Sequence, residues 1–216
     1  SGPPAVLGAL LASALAGALG LVALAAFGRA SAAVLPAATG AGGSGTLGPS
    51  VDLPYADPGP FRTGWRRVEV APAGGASFDA LVYCPALETG ENAPLDPAGG
   101  AYPAITFGHG FFQTPDRYSG TLAHLASWGF IVIAAESHAG LSPDHARFAA
   151  DLSASLTWLE QAGGDVASWL HDQVRTDRFG ASGHSMGGGA SILATADDPR
   201  VRSLANLAAA DTRPSA

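Results

Sequence analysis

The sequence contains no lysine, and all 11 of its basic residues are arginines. Against 18 acidic residues they leave a formal net charge of −7. A surface that binds nucleic acid needs clustered cations to neutralise phosphates, and only Arg66 and Arg67 are adjacent. We therefore expect no nucleic acid among the partners of this protein.

Cysteine occurs once, so no disulfide can form within the chain, and the count says nothing about the redox compartment. Cys84 lies in the strand-like run "FDALVYCP", where a small buried residue is the expected role and a reactive thiol is the alternative. Apolar residues make up 47% of the 216 residues. That length and composition suit one ordinary domain with a substantial core, plus additional sequence.

Charge is absent from residues 5–27, "AVLGALLASALAGALGLVALAAF". A signal for secretion or for an organelle lumen explains the small residues at 30–32, although its apolar region is normally ~7–15 residues long. A membrane anchor explains the length, since ~20 residues span a bilayer. A buried alanine-rich helix is the third alternative, but no polar face interrupts the run. We expect residues 1–35 to be a signal or an anchor, which makes the protein secreted, periplasmic, lumenal or membrane-anchored.

Residues 36–60 are rich in Gly, Pro, Ser and Ala, and they predict a flexible linker. From residue 61 to residue 216 the pattern is that of a folded domain. The runs "WRRVEV" and "SFDALVYCP" predict an antiparallel pair of strands, and a polar loop follows at residues 86–101. After it, apolar strand-like runs alternate with helix-like runs, the longest of which has Asp144 as its expected N-cap. This alternation predicts an α/β fold with a mostly parallel, doubly wound sheet.

The run "RFGASGHSMGGGAS" places Ser185 in a G-x-S-x-G pattern between a predicted strand and a predicted helix. The pattern predicts a strained turn in which side chains at Gly183 and Gly187 would collide with neighbouring backbone. Such a turn lifts Ser185 to the carboxyl end of the sheet, where ligands bind in open α/β folds. An incidental serine or a phosphate-binding loop is the alternative, but neither P-loop nor G-x-G-x-x-G spacing is present. We predict that Ser185 is a nucleophile.

Two backbone amides are expected to complete this site. The helix that starts at Met186 directs free N–H groups at any oxyanion that forms nearby. In "AITFGHGFFQTP", Gly108 and Gly110 let the backbone approach a substrate, so Phe111 is predicted to present its amide beside that of Met186. Two such preorganised donors stabilise a tetrahedral intermediate.

The histidines near these segments receive other roles. His109 is expected to shape the loop, and the ring of His184 is expected to point away from the attacking side of the serine. His138 follows a predicted strand at the active edge of the sheet. Loop packing is its expected role, with substrate contact as the alternative, and we name it with Phe112 as a candidate pocket residue.

From about Trp65 to Thr212 the sequence resembles the α/β-hydrolase superfamily, through "GHSMGGGAS", "YPAITFGHGF" and "LASWGFIVIAAES". It most resembles the branch of cutinase-like polyester hydrolases, dienelactone-hydrolase-like esterases and chlorophyllase-type enzymes. The resemblance implies a serine esterase or lipase that forms an acyl-enzyme and needs neither a cofactor nor a metal. Two positions depart from the polyester-degrading members: Ala210 stands where they carry an aromatic wall residue, and Phe111 where they carry a tyrosine. We therefore expect a small or lipid-like apolar ester, entering past Phe111, Phe112 and Met186.

No histidine follows Ser185 in the sequence, although this fold orders its triad as Ser, then Asp or Glu, then His. Asp197 and Asp198 are expected to form a solvated turn, and Asp211 is an alternative candidate for the acid. We therefore expect a C-terminally truncated, inactive fragment of a longer hydrolase, with the last strands and the triad Asp and His beyond residue 216. The alternatives are a rearranged triad with His138, and a non-catalytic α/β-hydrolase-like binding protein or decayed gene product.

Overall fold

A computed structural model of the chain describes residues 55–214. The strands in this part are β1 (Arg62–Val70), β2 (Phe78–Ala86), β3 (Gly90–Glu91), β4 (Tyr102–Gly108), β5 (Ile131–Ala135), β6 (Val174–His184) and β7 (Val201–Leu207). The α-helices are α1 (Ser119–Ser127), α2 (His145–Gly164) and α3 (Met186–Asp197), and 3-10 turns lie at Pro97–Gly99 and Pro115–Tyr118. The predicted signal or anchor at 1–35 lies outside the described residues.

The strands form one sheet in the order β3-β1-β2-β5-β4-β6-β7. β1 and β2 are antiparallel, as predicted, and β2 joins β5 in the antiparallel sense. β5, β4, β6 and β7 are parallel, and a helix crosses between each pair that is consecutive in the chain. The prediction of a mostly parallel sheet is confirmed. The loop predicted at residues 86–101 contains β3 and a 3-10 turn.

Helices cover both faces of this sheet, and β2 shows why. Val82 and Cys84 pack in a cluster with residues of α2, whereas Leu81 and Tyr83 pack on the other face with residues of α1. Because successive side chains of a strand point to opposite faces, an apolar run buried on both sides is what such a sheet needs. Cys84 is buried as predicted, and burial raises the pKa of its thiol to about 11.

The longest helix, α2, begins where the sequence predicts. The carboxylate of Asp144 accepts a hydrogen bond from the backbone N–H of Arg147 at 3.0 Å, so Asp144 is the N-cap. Buried residues at helical spacing then form one apolar stripe along α2: Phe148, Leu152, Leu156 and Leu159. This stripe fixes α2 against the sheet on the face that also carries α3.

Residues 55–60, at the end of the predicted linker, pack against the end of α1. The backbone N–H of Gly59 donates to the hydroxyl of Ser127 at 2.8 Å, and the Tyr55 ring packs edge-on to Trp128 at 5.0 Å. These contacts attach residues 55–60 to the end of α1, whereas residues 36–54 of the predicted linker lie outside the described residues. Within residues 55–214, no helix has the length and hydropathy of a membrane span.

Candidate active site

Ser185 occupies a sharp turn between the end of β6 and the start of α3. Its backbone has φ 51° and ψ −117°, a strained conformation that L-residues seldom adopt. Two hydrogen bonds from the β7 side hold it there: the Ser185 N–H donates to the carbonyl of Leu207 at 3.0 Å, and the Ala210 N–H donates to the carbonyl of Ser185 at 2.8 Å. The geometry is that of a nucleophile elbow.

The glycines on either side of the serine are needed for close backbone contact. A Cβ on Gly183 would lie closer than 3.0 Å to backbone atoms of Gly187. A Cβ on Gly187 would meet the backbone of Gly108 and His109 in the same way. At these glycines the elbow and the loop after β4 therefore touch backbone to backbone, as the glycine pattern predicts.

The Ser185 side chain is partly exposed and forms no hydrogen bond with the described residues. The amides of Phe111 and Met186 likewise donate to no backbone carbonyl in that part of the chain. The structure therefore leaves free the three groups that the sequence predicts for the chemistry: a hydroxyl and two N–H donors.

The loop that carries Phe111 is held on one side by His109, which is fully buried. One ring nitrogen, Nε2, lies 2.7 Å from the carbonyl oxygen of Ser137, and Nδ1 lies 2.9 Å from that of Gly110. The ring also packs 4.9 Å from Phe148 in α2. These contacts are those of the loop-shaping residue that we expected, and they attach the loop to the chain that follows β5.

A second support was not predicted and joins the other side of this loop to the elbow. The Gly110 N–H donates to the Tyr118 hydroxyl at 2.9 Å, and this hydroxyl lies 2.8 Å from Nδ1 of His184. Burial raises the pKa of Tyr118, which stays a neutral phenol at ordinary pH. The sequence offers no signal for this contact, because Tyr118 precedes α1 without any motif around it.

His138 is engaged with α2 and not with Ser185. Its Nε2 lies 3.2 Å from the carboxylate of Asp151, and the Asp144 N–H approaches its Nδ1 at 3.4 Å. Its ring also packs 5.6 Å from Phe148. Because both ring nitrogens have partners in this segment, a rearranged triad with His138 as base is not formed, and a substrate contact by His138 stays a prediction.

The apolar side chains at the site differ from the expectation in one respect. Phe111 is 38% exposed, and Phe112 is 61% exposed at a φ of 56°, so both rings are accessible on the loop after β4. Met186 is only 4% exposed and packs in the core beside Phe148. Its side chain therefore does not line the predicted entrance, because the first turn of α3 directs it into the contact with α2. The pocket role of Phe112 stays a prediction.

The carboxylates after the serine also differ from one another. Asp198 was expected in a solvated turn, but it is buried and pairs with Arg200 at 2.7 Å. Arg200 in turn reaches Glu160 of α2 at 2.9 Å, and the Arg200 guanidinium holds the pKa of Asp198 below its ordinary value. Asp198 is thus a structural residue. Asp211 is exposed, and no described histidine contacts it.

No group of three or more His, Cys, Asp or Glu side chains among residues 55–214 is arranged to hold a metal ion. The structure does assemble the strained serine, the glycine-lined contact and the two free amides. With a parallel sheet whose carboxyl edge carries them, these features define the nucleophile-bearing part of an α/β-hydrolase fold.

Comparison with known proteins agrees with this class. A family model described as PETase, PET hydrolase-like, matches residues 49–215. The chain therefore belongs to the PET hydrolase-like family. Cutinase est1 and Cutinase est2 of Thermobifida alba are each 28% identical to it over 106 residues, which is 49% of this chain and 34% of each cutinase. The chain thus aligns with about a third of the length of these curated relatives.

A ferulic acid esterase from Streptomyces cinnamoneus has a similar structure, with a TM-score of 0.53 at 17% identity. The match covers 68% of this chain and 59% of the esterase. At that identity the similarity shows the fold, and it confirms the predicted α/β-hydrolase architecture. The finer resemblance to dienelactone-hydrolase-like and chlorophyllase-type enzymes stays a prediction.

Proposed function

We propose that the protein is a serine hydrolase of carboxylic esters. The Ser185 hydroxyl attacks the ester carbonyl, and the amides of Phe111 and Met186 bind the oxyanion of the tetrahedral intermediate. The alcohol leaves, an acyl-enzyme forms on Ser185, and water then releases the acid. The strained serine with its free hydroxyl, beside two amides without acceptors, carries this proposal. The similarity to two cutinases and to the fold of an esterase supports this proposal.

The general base that takes the serine proton is proposed to come from outside these 216 residues. All six histidines lie in the described part of the chain. Each contacts another group there through a ring nitrogen, and none is hydrogen-bonded to Ser185. The base needs an orienting carboxylate, for which Asp211 stays an alternative. We therefore propose that residues 1–216 alone do not turn over substrate.

The proposed substrate is an apolar ester, small or lipid-like. Phe111 and Phe112 place two accessible rings 6.3 Å apart on the loop whose backbone touches the elbow. Ala210, whose amide binds the Ser185 carbonyl, offers only a methyl group to a substrate. An acyl chain can bury apolar surface against the two rings, which favours binding by about 25 cal/mol per Å².

We also propose that the protein acts outside the cytoplasm or at a membrane. The proposal rests on the uncharged run at residues 5–27, through which the chain would associate with a membrane if it is not cleaved. Cell fractionation followed by N-terminal sequencing tests it. A mature N-terminus at residue 33 would establish a cleaved signal, and an intact run in the membrane fraction would establish an anchor.

Labelling by a fluorophosphonate tests the enzymatic proposal, because this reagent bonds covalently to an activated serine. We expect one adduct on the full-length natural protein, located at Ser185 by mass spectrometry and lost in Ser185→Ala. Ser203→Ala is the matched control, because Ser203 is exposed on β7 and should not affect labelling. An adduct that survives Ser185→Ala would refute the assignment. Absence of any adduct, with retained binding of an apolar ester, would instead favour the non-catalytic binding protein.

A further inference from the structure

The Tyr118 hydroxyl contacts both halves of the proposed site, the loop after β4 and the elbow. It accepts the Gly110 N–H from the loop that carries Phe111, and it contacts His184, the residue directly before the serine. A hydroxyl has a single proton. Since its oxygen accepts from Gly110, its proton is free to be donated to Nδ1 of His184.

The space around Gly110 shows how tightly this contact is built. A Cβ at this position would lie 2.9 Å from Nδ1 of His184 and 2.9 Å from the Tyr118 oxygen. The Tyr118 ring is packed as well, with its centroid 5.1 Å from that of Phe107 and 5.7 Å from that of His184. The hydroxyl is therefore held in place by ring packing, and its two hydrogen bonds are preorganised.

We propose that Tyr118 is a positioning residue of the oxyanion site, which fixes Gly110, the residue before Phe111, by joining it to His184. The inference rests on the proposed esterase function, since it assigns a role in that reaction. A misplaced donor stabilises the transition state less, although it leaves the binding of the ground-state ester almost unchanged. Removal of an oxyanion donor costs about 10²–10³ in kcat, so its displacement should cost about 10–100-fold.

Tyr118→Phe is the variant that tests this, because it keeps the packed ring and deletes only the hydroxyl. Tyr102→Phe is the matched control. The Tyr102 hydroxyl also accepts from a backbone amide, that of Gly99 at 3.1 Å, and donates to a carbonyl, that of Asp96 at 2.7 Å. It lies at the start of β4, whereas Gly110 follows the end of the same strand.

The first measurement needs no activity. Amide hydrogen exchange followed by NMR should show faster exchange at Gly110 in Tyr118→Phe, with the wild-type rate in Tyr102→Phe. The His184 ring ¹⁵N signal should also move in Tyr118→Phe alone. Unchanged exchange and an unchanged ring signal would overturn the proposal whether or not the protein is an esterase.

The second measurement is ester hydrolysis by the full-length natural protein. We expect kcat to fall about 10–100-fold in Tyr118→Phe with KM within about twofold, and to stay at the wild-type value in Tyr102→Phe. His184→Asn, which keeps an acceptor near the Nδ1 position, should retain more activity than His184→Leu. An unchanged kcat in Tyr118→Phe would overturn the positioning role. A wild-type protein without esterase activity would refute the proposed function, and the exchange rates would still decide whether Tyr118 holds the loop.

Discussion

Gly187→Ala should damage both the stability and the chemistry of this protein, because the added methyl has no space. Its Cβ would lie 2.5 Å from the carbonyl oxygen of His109 and closer still to backbone atoms of Gly108. Flexible side chains could move away from a methyl group, but here the obstacles are main-chain atoms at the end of β4. Either the loop or the start of α3 must shift, and each movement separates the amides of Phe111 and Met186.

The size of the effect follows from two opposing contributions. Overpacking a core costs typically about 1–3 kcal/mol, and the rigid obstacles put Gly187→Ala at the upper end, about 3 kcal/mol. Replacing glycine by alanine within a helix raises the free energy of unfolding by up to about 1 kcal/mol, because alanine has the higher helix propensity. The net loss is therefore about 2 kcal/mol, which lowers Tm by roughly 4–8 °C for a domain of this size.

Urea unfolding followed by tryptophan fluorescence measures this loss, and ester hydrolysis by the full-length natural protein measures the damage to the site. Gly120→Ala is the matched control, because a Cβ on Gly120 in α1 meets nothing within 4 Å. We expect this control to be more stable than wild type by about 0.5–1 kcal/mol and equally active. If Gly187→Ala loses less than about 1 kcal/mol, or keeps the wild-type rate, the close contact between elbow and loop is not what holds the site together.

Two other predictions concern the ionisable groups of the core. Because burial raises its pKa to about 11, the Cys84 thiol should resist alkylation at pH 8 until the protein is unfolded, and fast alkylation of the native state would contradict its burial. The Arg200 guanidinium lowers the pKa of Asp198 in the folded protein. The ionised carboxylate therefore stabilises the fold fully above its pKa in the unfolded chain, about 4, and this stabilisation is lost as pH falls through the pKa in the folded protein. Asp198→Asn should therefore cost about 1–3 kcal/mol at pH 7, with a smaller difference from wild type near pH 3, and a constant difference would refute the pairing.

The sheet, the helices and the elbow could be predicted because their signals are local. The cap at Asp144 is a short polar side chain directly before an apolar stripe, and the structure places the helix there. Ser185 has several glycines within a few residues, and this local pattern predicts the close backbone contact. Nothing about distant residues is needed to infer either feature.

What could not be predicted depends on partners that are far apart in the sequence. Asp198 was expected in solvent, but the Arg200 that pairs with it is fixed by Glu160, 40 residues earlier. Tyr118 and His184 are separated by 66 residues, and only the packing of α1 and the β4 loop brings them together. Sequence reasoning on one chain has no access to such pairs until the topology is known.

The β7 side of the elbow explains how the strained turn at Ser185 is stabilised. A strained residue costs of the order of 1–3 kcal/mol, and each backbone hydrogen bond returns about 0.5–1.5 kcal/mol. Ser185 has two such bonds, to Leu207 and from Ala210, and Asn206 of β7 fastens the same segment to α3 through the Gly188 carbonyl at 3.0 Å. These contributions are equal in size to the strain, so the turn is held by residues of β7 and its continuation. The conformation of Ser185 therefore depends on β7 as much as on the glycines around the serine.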